Sequence, residues 1–289
     1  MFLIFGVEHL ASRIFMQTSF WEIVEIALRW GHVFAAIMWV GATYYFTWLD
    51  GRFVELEGKI DKGETKEKYI WMVHSGGFYI VEKQRRPTLM GQTLHWFKWE
   101  SGLTWITGML LFIVLYYRSL LFNQNDDTPA MWQISNSAAI AISVGMILAS
   151  WVIYDVIWKL VKNFAVGAVL CYIVLVASTW LACQYFSARG AFLQVGAMMG
   201  TIMAANVWMI IIPSQRRMVN ALKEGKEPNL LEADRAKGRS KHNTFIVWPV
   251  VFIMISNHYP SIYGSKYNWI ILSIVVLIGW LAAKIVRKA

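Results

Sequence analysis

The sequence predicts an all-α protein, a polytopic bundle of about seven membrane-spanning helices. Three observations predict it. The 289 residues are 57% hydrophobic and only 16% charged. Apolar runs close to the ~20 residues that cross a bilayer recur along the chain. Lys and Arg gather in alternate connections between those runs, the positive-inside pattern of a multi-pass membrane protein. The 16 Trp and 12 Tyr suit a lipid–water boundary. A net charge of +9 distributed in this way points to membrane orientation and argues against nucleic acid as a partner.

Residues 1–20 lack the basic stretch and small-residue cleavage site of a secretory leader. Phe2, Phe5, Leu10, Ile14 and Phe15 suit a short segment lying in the interface, with His9 as a structural residue within it. Residues 21–289 then read as one membrane domain, with no internal repeat or linker. The expected spans are 21–49, 100–122, 131–160, 164–186, 191–213, 244–263 and 267–286. The first and third are long enough to tilt or project. Cytoplasmic loops are expected at 50–99 and 214–243, the second a solvated basic loop with some helix. The first loop holds Arg52, Lys59, Lys62, Lys66, Lys68, Lys83, Arg85, Arg86 and Lys98. Lys159 and Lys162, the run from Arg216 to Lys241, and Lys284, Arg287 and Lys288 fall on the same side. Arg13, Arg118, Arg189 and Lys266 fall opposite. The N-terminus is therefore expected outside and the C-terminus in the cytoplasm.

Cys171 and Cys183 lie too far apart along one helix to form a disulfide and read as small packing residues. No Cys-x-x-Cys-His occurs, so covalently attached c-type haem is not expected on this chain. Phosphate loops, dinucleotide fingerprints and a nucleophile elbow are likewise missing from the sequence.

The six histidines carry the functional signal. His32 lies about ten residues into the first span, roughly 15 Å from its outer end. An ionisable side chain at such depth is read first as functional. Gly31, Ala35 and Ala36 leave room beside it for a flat macrocycle, and Arg29 sits one turn outward on the same face, placed to pair with propionates. The plainer reading bonds His32 to a neighbouring helix and Arg29 to Glu25. His258, in Ser256-Asn257-His258-Tyr259-Pro260, ends the sixth span in the same outer half. The two are expected to ligate one haem b iron from two sides, unless His258 is simply interfacial.

His95 and His242 stand at the cytoplasmic entrances of spans two and six, and His74 in the first loop. These three are expected either to form an inner site, for a second haem or a substrate, or to be separate interfacial residues. The close spacings of a zinc or copper site do not occur, so iron held through haem is the expected metal. Asp155, beside Tyr154, reads as a proton-relay element or as the partner of Lys159 at i, i+4.

At these residues the chain resembles a known family. The blocks are His32-x6-Trp39-Val40-Gly41 with Leu49-Asp50, His74-Ser-Gly-Gly-Phe78-Tyr79, Leu94-His95-Trp96-Phe97-Lys98-Trp99-Glu100 with Thr104-Trp105 and Gly108, and His242-Asn243 through Pro249 to Ser256-Asn-His-Tyr-Pro260. In this order they are similar to the N-terminal membrane domain of bacterial cytochrome-c-coupled urate oxidases, or urate hydroxylases. The resemblance covers residues 25–265 and implies a location in the bacterial cytoplasmic membrane. It implies oxidation of urate to 5-hydroxyisourate, with water supplying the hydroxyl and electrons passing to a cytochrome c and the respiratory chain. By position, His32, His74, His95, His242 and His258 match the family's motif histidines. Lys98, with Trp96 and Trp99, offers a purine anion a cation and flat rings. Those urate oxidases carry a C-terminal cytochrome c domain, and this sequence ends at Ala289 without one, so a separate cytochrome c is the expected acceptor. The alternatives are a non-catalytic haem b or structural subunit of a larger respiratory complex and, in a third class, a metal-ion transporter.

Overall fold

In the computed structural model, residues 19–84, 87, 93–118 and 133–286 are described. The expected interfacial segment with His9 and Arg13, residues 119–132, Arg85, Arg86, Arg287 and Lys288 lie outside them. Helix α1 (Phe20–Asp61) begins with a capping box. The Ser19 hydroxyl accepts from the Glu22 N–H, and the Glu22 carboxylate accepts from the Ser19 N–H at 2.7 Å. The helix outruns its apolar stretch. Beyond Asp50 it stays helical because Glu55 pairs with Arg52 at 3.0 Å and with Lys59 at 3.1 Å, one turn to either side.

The expected loop at 50–99 is therefore helix first, and then an antiparallel hairpin of β1 (Tyr69–His74) and β2 (Gly77–Glu82). Aromatic and β-branched residues such as Tyr69, Trp71, Val73 and Tyr79 favour that pairing. Lys83 pairs with Asp50, and Lys237 reaches the same carboxylate at 3.4 Å, so the hairpin is tied to α1.

Helix α2 (Trp99–Phe112) continues through a widened turn at Ile113–Tyr117. Next come α3 (Asn136–Leu160), capped by Ser135, and α4 (Phe164–Tyr185), capped by Asn163. Helix α5 (Ala188–Ala205) runs through another widened turn, Asn206–Ile211, into α6 (Ile212–Lys223). Helix α7 (Leu230–Ser256), the short α8 (Pro260–Tyr263) and α9 (Asn268–Val286) complete the described chain.

Six of these helices are long and apolar enough to cross a membrane: α1, α2 with its widened turn, α3, α4, the continuous α5–α6, and α9. This is an all-α membrane bundle. The segment expected as a seventh span, 244–263, is shared between the end of α7 and α8. Helix α7 starts in the charged stretch expected as loop and becomes apolar only after Asn243, so no long window of it is purely apolar. The expected loop at 214–243 is thus largely helical, formed by α6 and the first half of α7.

Helix α5 is the central post, packed against α3, α4 and α7, while α7 also packs against α9 and α1 against α2. More than half of α5's most apolar stretch is buried, against 6% for α1. Phe192, Val195 and Met198 of α5 meet Ile147, Ala182, Ile253 and Leu272 from the surrounding helices. Lipid tails are as apolar as leucine, so close packing and interhelical hydrogen bonds hold such a bundle together. One clasp is explicit. The Ser143 hydroxyl donates to Gln194 Oε1 at 2.6 Å, and Gln194 Nε2 donates to the Ser143 carbonyl at 3.0 Å.

Candidate functional site

Two imidazoles are held inside the bundle, each by one ring nitrogen. His32, on α1, turns toward α2. Its Nδ1 lies 2.9 Å from the Thr104 carbonyl oxygen and 3.2 Å from the Thr107 hydroxyl. A carbonyl can only accept, so Nδ1 carries the proton and donates. The approach depends on Gly108. A methyl group there would stand 2.8 Å from His32 Cε1, inside any allowed contact. Nε2 has no hydrogen-bond partner among the described residues and keeps its lone pair. A histidine whose Nδ1–H is fixed by a backbone carbonyl is the usual arrangement of a metal-ligating imidazole.

His242, on α7, is held in the opposite way, and a relay of bonds decides its tautomer. The Met203 carbonyl accepts from Asn243 Nδ2 at 3.0 Å, which turns Asn243 Oδ1 toward Asn206. Asn206 Nδ2 then donates to that oxygen at 2.9 Å and to the Tyr154 hydroxyl oxygen at 3.1 Å. The guanidinium of Arg239 lies 4.9 Å from the centre of the Tyr154 ring. With donors on this side, the Tyr154 proton has His242 Nδ1, 2.7 Å away, as its acceptor. His242 therefore accepts at Nδ1 and carries its hydrogen on Nε2, which has no protein partner among the described residues.

The ring itself lies 4.2 Å, centre to centre, from Trp158. Gly167 makes room for that indole, since a methyl at 167 would stand 2.9 Å from it. Next to the relay, Asp155 accepts from Arg239 and from Lys159, both at 2.6 Å. The expected pairing with Lys159 is present, and Arg239, 84 residues away, completes it.

The other expected site residues are placed more simply. Arg29 pairs with Glu25 at 2.7 Å, the plainer of its two readings. His258 is exposed past the end of α7, its N–H donating to the Ile255 carbonyl. No hydrogen bond or ring contact links it to His32 among the described residues. His95 is exposed, with its ring edge-on to Phe97 and 3.9 Å from Glu100. His74 is exposed at the end of β1. Neither is joined to His242 by any such contact. Lys98 lies over the rings of Trp99 and Trp208, at 5.2 and 5.4 Å, while Trp96 is half-buried nearby.

Sequence reasoning singled out Tyr154 and Asp155 and quoted Asn243 only as the neighbour of His242, but missed Asn206 and Arg239. Asn206 was the available signal. A wholly buried amide within an apolar run must find partners, and it stands where α5 widens, a feature frequent at functional sites.

An all-α bundle with six helices long and apolar enough to cross a membrane is a multi-pass membrane protein. The sequence pattern of the family described as urate oxidase N-terminal matches residues 18–288, and the chain belongs to that family. No curated protein and no solved structure matches the chain.

Proposed function

We propose that this chain is a haem-b-binding oxidoreductase of the bacterial cytoplasmic membrane that oxidises urate to 5-hydroxyisourate. A cytochrome c would receive the electrons and deliver them to the respiratory chain. Family membership supports the urate-related oxidation chemistry at a coarse level. The observation that carries the haem reading is His32, with Nδ1–H donated to the Thr104 carbonyl, Nε2 unpaired, and the ring seated against Gly108.

These groups fit a haem ligand. His32 and His258 would hold the haem through ring nitrogens, and Arg29 would offer its carboxylates a cation. Haem b, when bound, supplies a one-electron redox centre within the membrane. The inner histidines divide in this reading: His242 belongs to a ligand pocket, whereas His95 and His74 remain at the surface. For the urate anion, the ammonium of Lys98 and the flat faces of Trp99 and Trp96 offer charge and stacking. The chain's own contribution is to orient the His32 imidazole and hold the anion.

The test is spectroscopic. Purified in mild detergent, the protein is expected to show a Soret band that is lost in His32→Ala, and anaerobic urate is expected to reduce it. A protein without a Soret band would overturn the haem assignment. A dithionite-reducible haem that urate leaves oxidised would favour an electron-carrying subunit of a larger complex over an enzyme.

A further inference from the structure

We infer that the cavity beside His242 is a binding site for a membrane-dissolved quinone. The cavity, of about 310 Å³, lies among α3, α4, α5, α7 and α9. That size matches the lower end of small-molecule pockets. Its wall is almost entirely apolar and carries the rings of Trp158, Phe164 and Trp280. Its polar edge is made by His242 and Tyr154, with Lys284 also in the lining. Ile153, Phe164 and Leu281, which also line it, are 42%, 50% and 60% exposed on helices that cross the membrane. The cavity therefore opens toward lipid rather than toward water.

The polar edge selects the occupant. The relay from Asn243 through Asn206 and Tyr154 leaves His242 with an Nε2–H and no protein acceptor. Facing an apolar space, such a donor is stabilised by an acceptor, and a hydrocarbon chain has none to offer. A free purine or phosphate anion needs several donors, more than this apolar wall provides. A flat ring bearing carbonyl oxygens and an apolar tail satisfies all three features: the aromatic wall, the donors along it, His242 and the unpaired indole N–H groups of Trp158 and Trp280, and the lipid-facing mouth.

The redox balance closes on the urate-oxidase reading, on which this inference rests for its source of electrons, with the quinone taking the place of cytochrome c as their acceptor. Urate and water give 5-hydroxyisourate, two protons and two electrons. A quinone takes up two electrons and two protons to become a quinol. His242 Nε2–H donates its hydrogen bond to one quinone carbonyl, and the Tyr154 hydroxyl stands behind it to replace a proton that leaves the imidazole.

The test measures binding of oxidised decylubiquinone to the full-length protein in nanodiscs of quinone-free phosphatidylcholine, followed by tryptophan quenching. The expected result is saturable binding, weakened about tenfold in His242→Ala, as loss of one buried hydrogen bond predicts. Ser178→Phe, which fills the cavity without touching the relay, is expected to abolish binding while His242 stays in place. Non-saturable partitioning that is equal in the wild type and both variants overturns the inference. So does equal competition by decane, which would make the cavity an acyl-chain groove. Urate-driven reduction is assayed separately on the same sample. Saturable quinone binding without urate oxidation removes only the urate reading, and urate oxidation without quinone binding removes only this site.

Discussion

His32 and His242 lie in the same bundle, and each has one ring nitrogen tied down and one left open. They differ in what ties them. At His32 the tie is a backbone carbonyl, which forces the hydrogen onto Nδ1 and leaves a lone pair on Nε2. At His242 the tie is a hydroxyl that already accepts from Asn206, so its own proton turns to Nδ1 and the ring hydrogen is placed on Nε2. One imidazole keeps an open lone pair and the other an open N–H. The same residue type thus acquires opposite chemistry from one atom of its surroundings, a carbonyl oxygen in one case and a phenolic hydroxyl in the other.

The largest expected effect comes from removing the charge that anchors the His242 side. Asp155→Asn leaves Arg239, with a side chain only 7% exposed, without its counter-charge. The expected loss is about 3–5 kcal/mol, the range for breaking a buried pair from one side. Thermal unfolding in detergent measures it, and the His32 side is expected to keep its spectrum.

On that His32 side, Gly108→Ala drives a methyl into the imidazole. Overpacking of this kind costs about 1–3 kcal/mol. The ring is expected to leave the Thr104 carbonyl, and the haem Soret band to weaken with it. An unchanged band together with an unchanged melting temperature would show that His32 does not depend on this contact.

Tyr154→Phe sharpens the comparison by cutting the relay without removing a ring. It leaves one donor of Asn206 unpaired and frees His242 Nδ1, at about 1–3 kcal/mol for the unsatisfied buried amide. His242 is then expected to lose its fixed tautomer, while His32 keeps its own.

The smallest effect is expected far from both rings. Arg217 hydrogen-bonds the Glu232 carboxylate, joining α6 to α7, and holds it down to about 2. A lowered carboxylate adds stability above its ordinary value, and that stability is lost as pH falls toward about 2. Both side chains reach solvent, so Glu232→Gln is expected to lower the melting temperature only slightly at neutral pH. A melting curve of the variant, compared at pH 7 and pH 4, checks the sign.

Much of this arrangement was legible in the sequence for a simple reason. Apolar length and Lys/Arg placement report directly on membrane crossing, and an imidazole at mid-span stands out against its neighbours. His32 was visible in this way, whereas the second imidazole placed within a span was His258, and the sequence puts His242 only at the cytoplasmic entrance of span six. The partners of His32 and His242 were not visible. The carbonyl of Thr104 carries no sequence signature, and its availability depends on Gly108, 76 positions after His32. Asp155 announced Lys159 because a helix places i and i+4 together, but Arg239 meets it only through the packing of α3 on α7. The hairpin at 69–82 was hidden, and the helix expected within 214–243 was given no bounds, because a search for apolar spans passes over polar segments that fold by other rules.

The opposite tautomers are the central claim, and ring-nitrogen NMR tests them most directly. Protein labelled with ¹⁵N in its histidine rings would be recorded in nanodiscs at neutral pH, with His32→Ala and His242→Ala identifying the two signals. The expected spectrum shows hydrogen on Nδ1 of His32, with Nε2 bare or bound to iron, and hydrogen on Nε2 of His242, with Nδ1 accepting. The same tautomer at both rings, or the two exchanged, would contradict the account.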